Sequence, residues 1–336
     1  MAVTIKDVAK QASVSVATVS RILNNLPGYS EETKQKVVKV IDELGYQPNA
    51  IARGLINKKT KTIGVLFPHV SDLFASEILA GIDDVAHELD YSVIICKTDK
   101  DGIRTMKYLQ TLREKQVDGI IIVSEYMTDE YYELLNKMNI PVVLVATKSN
   151  YDIPYIKVDD YQAAYEAVTY LINKGHQHIG MISGTENDHM STIPRVNGYE
   201  QALQDAGLHV SDGAIAYGDF GFQSGIHCMD TLLRQNQSLT AVFCASDEMA
   251  IGALSCLYKY GIKVPEEMSV VGYDNTATAK KAIPPLTTIE QPLYKMGRRA
   301  FEMLVKGEVK MNTIYPHRII ERHTVAEQRH VRLVHK

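Results

Sequence analysis

From Lys61 onward, short apolar runs alternate with amphipathic stretches, and this alternation constrains the fold more than any other feature of the sequence. The runs are rich in Val and Ile and nearly continuous in apolarity, as are the strands of parallel sheets that are buried on both faces. Such runs lie at residues 63–68, 92–98, 119–124, 142–146, 178–184, 241–246 and 269–274. Helical patterns lie between them, for example at residues 75–90, 160–174, 223–236 and 247–261. The alternation predicts doubly wound α/β sheets, and a body of about 260 residues suits two lobes better than one.

The cysteines and the apolar segments indicate where the chain resides. The four cysteines include no Cys-x-x-Cys pair, and Cys96 and Cys244 lie inside apolar runs, where a thiol acts as a small buried hydrophobe. This usage is typical of a reducing compartment. Lys6, Asp7 and Lys10 precede any stretch that could form the core of a signal peptide. No run approaches the ~18 apolar residues of a membrane span. We therefore expect a cytoplasmic protein that makes no contact with a membrane.

Charge is unevenly distributed along the chain. Residues 1–61 hold 10 Lys and Arg against 5 Asp and Glu, whereas the remainder holds 26 basic and 35 acidic residues. A small basic segment attached to a large acidic body is typical of a protein whose basic part meets a polyanion. Charge alone leaves open the alternative that the imbalance is only variation of a solvated surface.

The N-terminal segment carries the start signals of two short helices. Thr4 followed by Asp7 resembles a capping box at the start of the first helix. Ser15 can cap a second helix that runs to about Asn24. The apolar positions expected to face inward are Val8, Ala9, Ala12, Val19, Ile22 and Leu23.

A third helix is predicted to begin after Ser30 and to end at Gly45. Its expected inward positions are Val37, Val38, Ile41 and Leu44. The second helix leaves small and polar side chains outside, namely Ala17, Thr18, Ser20, Arg21 and Asn24. Such side chains suit a helix that lies in a DNA groove and touches base edges. Two short helices and a supporting third predict a helix-turn-helix unit, and the alternative is an ordinary helical bundle.

Longer motifs decide between these alternatives. The stretch VTIKDVAKQASVSVATVSRILNN, with YSEET and ELGYQPNAIARGL after it, closely resembles the LacI/GalR family of bacterial transcription regulators. The resemblance continues, in the family's order and spacing, through TIGVLFP, VDGIIIVS, IPVVLV, GHQHIGMISG, RVNGYEQAL, AVFCASDEMAIGAL, VPEEMSVVGYDN and PPLTTIEQP. It implies an all-α helix-turn-helix head over residues 1–47 and a hinge helix with linker over 48–60. It also implies a two-lobed, periplasmic-binding-protein-like α/β body over 61–336 that binds an effector and dimerises.

The resemblance assigns roles to residues of the second helix. It implies that Val16, Ala17 and Arg21 occupy the base-reading positions of a recognition helix. Thr18, Ser20 and Asn24 would lie closer to phosphates. The expected partner is double-stranded operator DNA.

Residues 49–57 resemble the family's hinge helix, which forms when two subunits meet on DNA. Asn49 opens this segment, and Ala52 and Leu55 match its small-residue and leucine positions. In the family the leucine enters the minor groove at the operator centre. An apolar wedge of this kind unstacks a base step and bends the duplex, which brings more protein surface into contact.

The resemblance also implies an effector cleft between the two lobes. Arg195 of RVNGY and Asp274 of SVVGYD match family residues that line this cleft from the second lobe. A carboxylate that accepts hydrogen bonds beside a guanidinium that donates them suits a polyol such as a sugar or sugar phosphate. Phe74, in SDLF where relatives read N-P-F-F, and Phe220 match effector-facing positions, and the alternative for both rings is a role in the core. Asp247 is expected to cap the helix that follows it.

Within the family, the body most resembles the catabolite control proteins of Gram-positive bacteria, through IPVVLVA, QPLY around Tyr294 and PHRIIER. Those regulators are activated by a phosphorylated carrier protein. Glu302 stands where they carry the arginine that grips the phosphoserine, and they lack the cleft arginine that this chain has at Arg195. Both differences favour a small sugar-like effector and leave the phosphocarrier protein as the lesser alternative.

Other classes of function fit less well. The chain holds no GxGxxG, P-loop, HExxH or GxSxG motif, and its GFQSG segment misplaces the serine by one position. His176 and His178 form an HxH pair without an accompanying Cys, Asp or Glu cluster, so solvent-facing loop histidines are favoured over a metal site. We therefore expect neither catalysis nor a cofactor. A solute-binding protein for transport would share the body but would not carry a DNA-binding head.

The expected assembly is a homodimer. An operator of twofold symmetry requires two heads, which a closed, isologous pair supplies. Some relatives append a C-terminal leucine heptad helix that joins dimers into tetramers. Here the tail after Thr324, VAEQRHVRLVHK, is too short and too basic for repeated apolar positions.

Overall fold

The structure, a computed structural model, describes residues 3–46, 59–99, 102–236, 238–308 and 311–328. The chain divides between Lys61 and Thr62 into two compact units, a small head and a large body. No helix in these described ranges is long and apolar enough to cross a membrane.

The described residues of the head form three helices whose caps follow the sequence signals. They are α1 (Ile5–Gln11), α2 (Val16–Leu23) and α3 (Glu31–Leu44). At the start of α1 the backbone N–H and the hydroxyl of Thr4 both donate to the Asp7 carboxylate, at 2.9 and 2.7 Å. The hydroxyl oxygens of Ser15 and Ser30 each accept the backbone N–H three residues later, at 3.0 and 3.2 Å. Gly45 ends α3 in the left-handed conformation, with φ 59°.

The core of the head agrees with the prediction at all but one site. Its fully buried members are Val8, Ala9, Ala12, Val19, Ile22, Val37 and Val40. Val38, which was expected inside, is exposed, and Val40 is buried instead. Residues 37, 40, 41 and 44 share one stripe of the helix, whereas residue 38 lies about 100° away around the axis. Within a VVKV segment, hydrophobicity alone does not identify that stripe.

The body alternates strands and helices. Its strands are β1 (Thr62–Phe67), β2 (Ser92–Lys97), β3 (Gly119–Val123), β4 (Val142–Val145), β5 (Tyr155–Val158), β6 (Ile179–Ser183), β7 (Ile215–Tyr217), β8 (Ala241–Cys244), β9 (Ser269–Asp274), β10 (Thr287–Glu290), β11 (Thr313–Tyr315) and β12 (Arg318–Ile320). Its helices are α4 (Leu73–Glu88), α5 (Ile103–Glu114), α6 (Asp129–Met138), α7 (Asp160–Asn173), α8 (Thr192–Asp205), α9 (Phe222–Gln235), α10 (Asp247–Tyr260), α11 (Ala277–Lys281) and α12 (Leu293–Lys306). Every predicted strand and helix corresponds to one of these elements, with ends that differ by at most two residues.

Two six-stranded sheets organise the described part of the body, one in each lobe. Their strand orders are β11-β5-β4-β3-β1-β2 and β12-β10-β9-β8-β6-β7. Neighbouring strands run parallel except β10 and β12, which pair antiparallel. The sequence did not predict β5, β7, β10, β11 and β12, because each has only three or four residues and no long apolar run marks it.

Alternating side chains of the first sheet build two cores. Ile63 and Val65 of β1 face α4 and α12, whereas Leu66 faces α5 and α6. In the second lobe one continuous core joins α7, α8, α9 and α10 to the central strands. Cys96, Cys228, Cys244 and Cys256 are all buried free thiols, as expected for Cys96 and Cys244.

The chain passes between the lobes three times within the described residues. The passages lie between β5 and α7, between β10 and α12, and between β11 and β12. This agrees with the two lobes and crossing strands that the resemblance implies. Each lobe is therefore discontinuous in sequence, and the passages are the segments about which the lobes can rotate.

Candidate functional site

A cavity of about 770 Å³ lies between the two lobes of the body. It sits at the carboxyl ends of the central strands of both sheets, the position at which open α/β sheets collect ligands. All four residues predicted to bind an effector line it: Phe74, Arg195, Phe220 and Asp274. Phe74 belongs to the first lobe, and the other three belong to the second.

Arg195 lies in the first turn of α8 at the cavity wall, and three other residues hold its guanidinium in place. Its Nε and Nη2 donate to one oxygen of Asp160, at 3.0 and 2.8 Å, and its Nη1 donates to the carbonyl of Ala245. The guanidinium lies 3.7 Å from the centre of the Tyr273 ring, in cation–π contact. Three of its five N–H groups are therefore used by the protein, and the other two have no partner among the described residues.

Asp160, which the sequence reasoning missed, is the centre of a buried charged cluster. Besides Arg195 it contacts Lys157 at 2.8 Å and accepts the Tyr273 hydroxyl at 3.1 Å. Burial raises the pKa of Asp160, but the charges of Arg195 and Lys157 outweigh burial and lower it overall. Asp160 is thus ionised, and it fixes the orientation of the guanidinium. Its position directly after β5 is the available signal, but β5 itself was not predicted.

Asp274 closes β9 and is buried at the cavity wall, with φ 115°. One of its carboxylate oxygens accepts the Gln291 Nε2 at 2.8 Å. The other has no hydrogen-bond partner among the described residues. Burial, followed by the charge of Asp247, raises the pKa of Asp274 well above its usual range.

Asp247 has a structural role, but it is not the helix cap that the sequence suggested. Ser246 caps α10 by accepting the Met249 N–H at 3.1 Å. Asp247 instead accepts the backbone N–H and hydroxyl of Thr276, at 2.7 and 3.0 Å, and the hydroxyl of Thr288, at 2.6 Å. It therefore ties α10 to β10 and to the loop after β9.

The two phenylalanines combine the roles that the sequence left as alternatives. Phe220 lies so close over Gly184 that a Cβ there would come 2.0 Å from the ring, and its ring centre is 5.8 Å from Arg195. Phe74 packs against the core of the first lobe. Each ring contacts a core on one side and the cavity on the other.

Several acidic residues of the cavity were also missed. They are Asp72, Asp99, Glu125, Glu186, Asp188, Asp219 and Glu248. Glu125 illustrates the signal that could have found some of them, because it closely follows the predicted strand 119–124. Polar residues that follow buried parallel strands converge at one edge of a sheet.

The head presents the predicted recognition surface on α2. Val16, Ala17 and Arg21 are exposed, and Thr18, Ser20 and Asn24 are half-buried on its flanks. The Asn24 Nδ2 donates to the Ser20 carbonyl at 2.8 Å. The predicted hinge residues Asn49, Ala52 and Leu55 lie outside the described residues.

The expectation of two solvent-facing histidines is confirmed for His178 and wrong for His176. His178 is exposed, but His176 is buried, where its Nδ1 lies 2.9 Å from the Thr240 hydroxyl and its Nε2 lies 3.2 Å from the Ala326 carbonyl. Burial lowers the pKa of His176. This histidine fastens the segment after β12 to the second lobe. Among the described residues, no group of three or more His, Cys, Asp or Glu side chains is placed to hold a metal ion.

Comparison with known proteins covers both units of the chain. The model of the periplasmic binding proteins and sugar binding domain of the LacI family matches residues 60–323, and that of the bacterial regulatory proteins of the lacI family matches residues 4–49. The chain belongs to the LacI family. It is 41% identical over 307 residues to catabolite control protein A of Priestia megaterium, a match that covers 91% of this chain and 92% of that relative.

Two solved structures of LacI-family regulators cover nearly the whole chain. The Lac repressor dimer bound to operator and the anti-inducer ONPF superposes with a TM-score of 0.86 at 29% identity, covering 97% of this chain and all of that one. The complex of the transcriptional regulator CelR with cellobiose gives 0.73 at 30% identity and covers 96% and 99% of the two chains.

Membership of the LacI family makes the chain a DNA-binding transcriptional regulator with a ligand-binding body. LacI-family regulators bind operator DNA as dimers, so the homodimer expected from the sequence agrees with this membership. The relatives are regulators of transcription and not enzymes.

Proposed function

We propose that the chain represses a carbohydrate-related operon and that a small sugar-like effector in the cleft controls its binding to the operator. The observation that carries this proposal is the convergence of Phe74, Arg195, Phe220 and Asp274 on one cavity between two lobes. An aromatic ring on each lobe offers faces for a sugar ring. Arg195 supplies donors and Asp274 supplies an acceptor for its hydroxyls. The CelR complex supports a carbohydrate, because that relative holds cellobiose.

In the proposed mechanism the effector acts by differential affinity. A ligand that contacts both lobes stabilises one arrangement of the lobes about the three passages over others. Operator affinity changes only if that arrangement presents the two heads of the dimer differently. Residues such as Arg21 on the exposed face of α2 would then read the operator bases, while Thr18 and Asn24 contact phosphates.

The test measures operator affinity by fluorescence anisotropy with and without a panel of carbohydrates. We expect at least one carbohydrate to change the affinity of the wild type. Asp274→Asn, which keeps an oxygen for the Gln291 contact but replaces the other carboxyl oxygen with an NH2 donor, should need about tenfold to a hundredfold more of it. Asp212→Asn, an exposed change in the same lobe, is the matched control. A wild type that responds to no carbohydrate, or an Asp274→Asn variant that responds like the control, contradicts the proposal.

A second candidate is control by a phosphorylated carrier protein, which the 41% identity to a catabolite control protein favours. Tyr294 and Glu302 lie on α12, and Glu302 is 3.9 Å from both Arg299 and Lys306. A carboxylate at this position repels a phosphoserine that an arginine would bind. We therefore expect a seryl-phosphorylated carrier protein to leave operator affinity unchanged in the wild type. An increase in operator affinity on adding it would favour this candidate over the sugar.

A further inference from the structure

The interior of the cleft is acidic, and its cations lie at the rim. Asp72, Glu125, Asp188 and Glu248 are half-buried and Asp274 is buried, whereas Lys97 and Arg104 are exposed. Arg195 is the buried cation among the described lining residues, and Asp160 already pairs with it. An effector that enters the cleft therefore meets more negative than positive charge.

Acidic groups face each other across the two lobes. Asp72 precedes α4 of the first lobe, while Glu248 and Asp274 belong to α10 and β9 of the second. Burial raises the pKa of both Glu248 and Asp274, and the charge of Asp72 adds to the rise in each. All three carboxyl groups line the same cavity, and Asp72 of the first lobe acts on each of the other two. The charge of Arg195 already offsets part of this repulsion at Asp274, and a second cation placed among the three groups would offset more of it.

At three of the helix N-termini that border the cleft, the protein's own carboxylates already accept the backbone N–H groups. Asp72 accepts the Ala75 N–H of α4 at 2.7 Å, and Asp99 accepts the Arg104 N–H of α5 at 2.9 Å. Asp188 accepts the N–H groups of three successive residues, Met190, Ser191 and Thr192, at 2.8, 3.3 and 3.2 Å. Helix N-termini are the usual binding sites for phosphate. At these three N-termini a phosphate would have to displace a carboxylate, and anywhere in the cleft it would add a further negative charge.

We propose that the effector is an aminated sugar, whose ammonium group binds among Asp72, Glu248 and Asp274, and that the cleft rejects phosphorylated sugars. The free oxygen of Asp274 is an acceptor aimed at the ligand, and an ammonium group has donors only. An ammonium group that donates to a carboxylate adds the attraction of opposite charges to the hydrogen bond, which a neutral hydroxyl does not. This inference rests on the proposed control by a sugar in the cleft.

The test compares three hexoses, glucose, galactose and mannose, each as the parent sugar, the 2-amino sugar and the 6-phosphate. Titration calorimetry on the full-length wild type measures each affinity. We expect an amino sugar to bind about tenfold to a hundredfold more tightly than its parent, and the phosphates to bind most weakly. Glu248→Gln should lower the affinity for the amino sugar much more than the affinity for the parent sugar, and so remove most of the preference for the amine. Glu186→Gln, the same change at the exposed rim of the cleft, should keep the preference.

The outcomes separate this inference from the proposed function. If a parent sugar or a phosphate binds as tightly as its amino sugar, the cleft does not select an amine, although control by a sugar stands. If Glu248→Gln keeps the full preference, the assigned carboxylates are wrong. If none of the nine compounds binds, the aminated effector is rejected, and the carbohydrate panel in the operator assay decides the proposed function independently.

Discussion

At the scale of single residues, the structure shows that Arg195 belongs to a buried charged cluster as well as to the cavity wall. The sequence indicated a cleft arginine, but it did not indicate that Asp160, Lys157 and Tyr273 hold it in place. A side chain that is fixed before the ligand arrives loses little entropy on binding, so its two remaining donors are preorganised. The same contacts make the residue important for stability.

Arg195→Ala is therefore expected to lower the free energy of unfolding by about 3 kcal/mol, because Asp160 would stay buried with only Lys157 to balance it. Urea unfolding followed by circular dichroism measures the change. Arg234→Ala, which breaks the exposed ion pair to Asp230 in the same lobe, should cost less than about 1 kcal/mol. Equal losses in the two variants would show that the Asp160 cluster contributes nothing beyond a surface pair.

Asp247 makes stability depend on pH in the direction opposite to a salt-bridged carboxylate. Burial raises its pKa to about 6, against 3.8 for an unperturbed group. A folded-state pKa above the unfolded value gives stability that is present below pH 3.8 and lost as the pH rises through about 6. Asp247→Asn should reduce the loss of unfolding free energy between pH 4 and pH 7 by about 2–4 kcal/mol. Urea unfolding across this range measures it, and an unchanged slope in the variant contradicts the assignment.

At the scale of elements, glycines set how closely the helices of the body approach. A Cβ on Gly81 of α4 would lie 2.0 Å from the Tyr294 carbonyl oxygen, and one on Gly297 of α12 would lie 2.1 Å from that of Ile78. The pair α9 and α10 repeats this reciprocal contact, and Gly198 lets α8 approach α7 in the same way. Backbone packed against backbone leaves no room for even one methyl group.

Gly297→Ala is expected to destabilise the body by about 3 kcal/mol, because α4 and α12 must separate to admit the methyl group. Gly307→Ala is the matched control on the same helix. Gly307 has φ 68° and no atom within 4 Å of an added Cβ, so the cost there should be only about 1 kcal/mol of backbone strain. Thermal unfolding of both variants measures the difference, and similar midpoints would contradict close packing at Gly297.

At the scale of the whole molecule, the uneven charge of the chain follows the division into a DNA-binding head and a ligand-binding body. Basic residues outnumber acidic ones by 10 to 5 in the unit of residues 1–61, which carries the helix-turn-helix, whereas acidic residues outnumber basic ones by 35 to 26 in the body. Two heads of a dimer present their cations to the phosphates of one operator, whereas the two bodies carry excess negative charge and are not attracted to the DNA. Operator binding should therefore depend steeply on salt.

Titration of the operator at several salt concentrations should give a log–log slope of about −0.9 for each phosphate, with six to ten phosphates contacted.

Leu55→Ala should weaken operator binding by a few kcal/mol, roughly the cost of losing an unstacking wedge, and leave the salt slope unchanged. Binding to random duplex DNA is the control, and it should be unaffected. Equal losses on both DNAs would rule out the wedge.

Light scattering on the wild-type protein should give the mass of a dimer, and a mass near four chains would contradict that expectation.

The sequence by itself determined the features that depend on local interactions. Strands such as β3 were predictable because a short continuous run of apolar residues is typical of a strand that is buried on both faces. The caps at Thr4, Ser15 and Ser30 were predictable because each bonds to an N–H or carboxylate group only three residues away. The motifs then led to Phe74, Arg195, Phe220 and Asp274 one residue at a time. Tertiary structure decided what no local pattern encodes. Asp160 pairs with a partner 35 residues away, His176 is bound by a segment 150 residues away, and Asp72 lines the same cavity as Glu248 of the other lobe. Such charges come together only when strand order and lobe packing are set, and burial then determines their pKa values and the chemistry of the cleft.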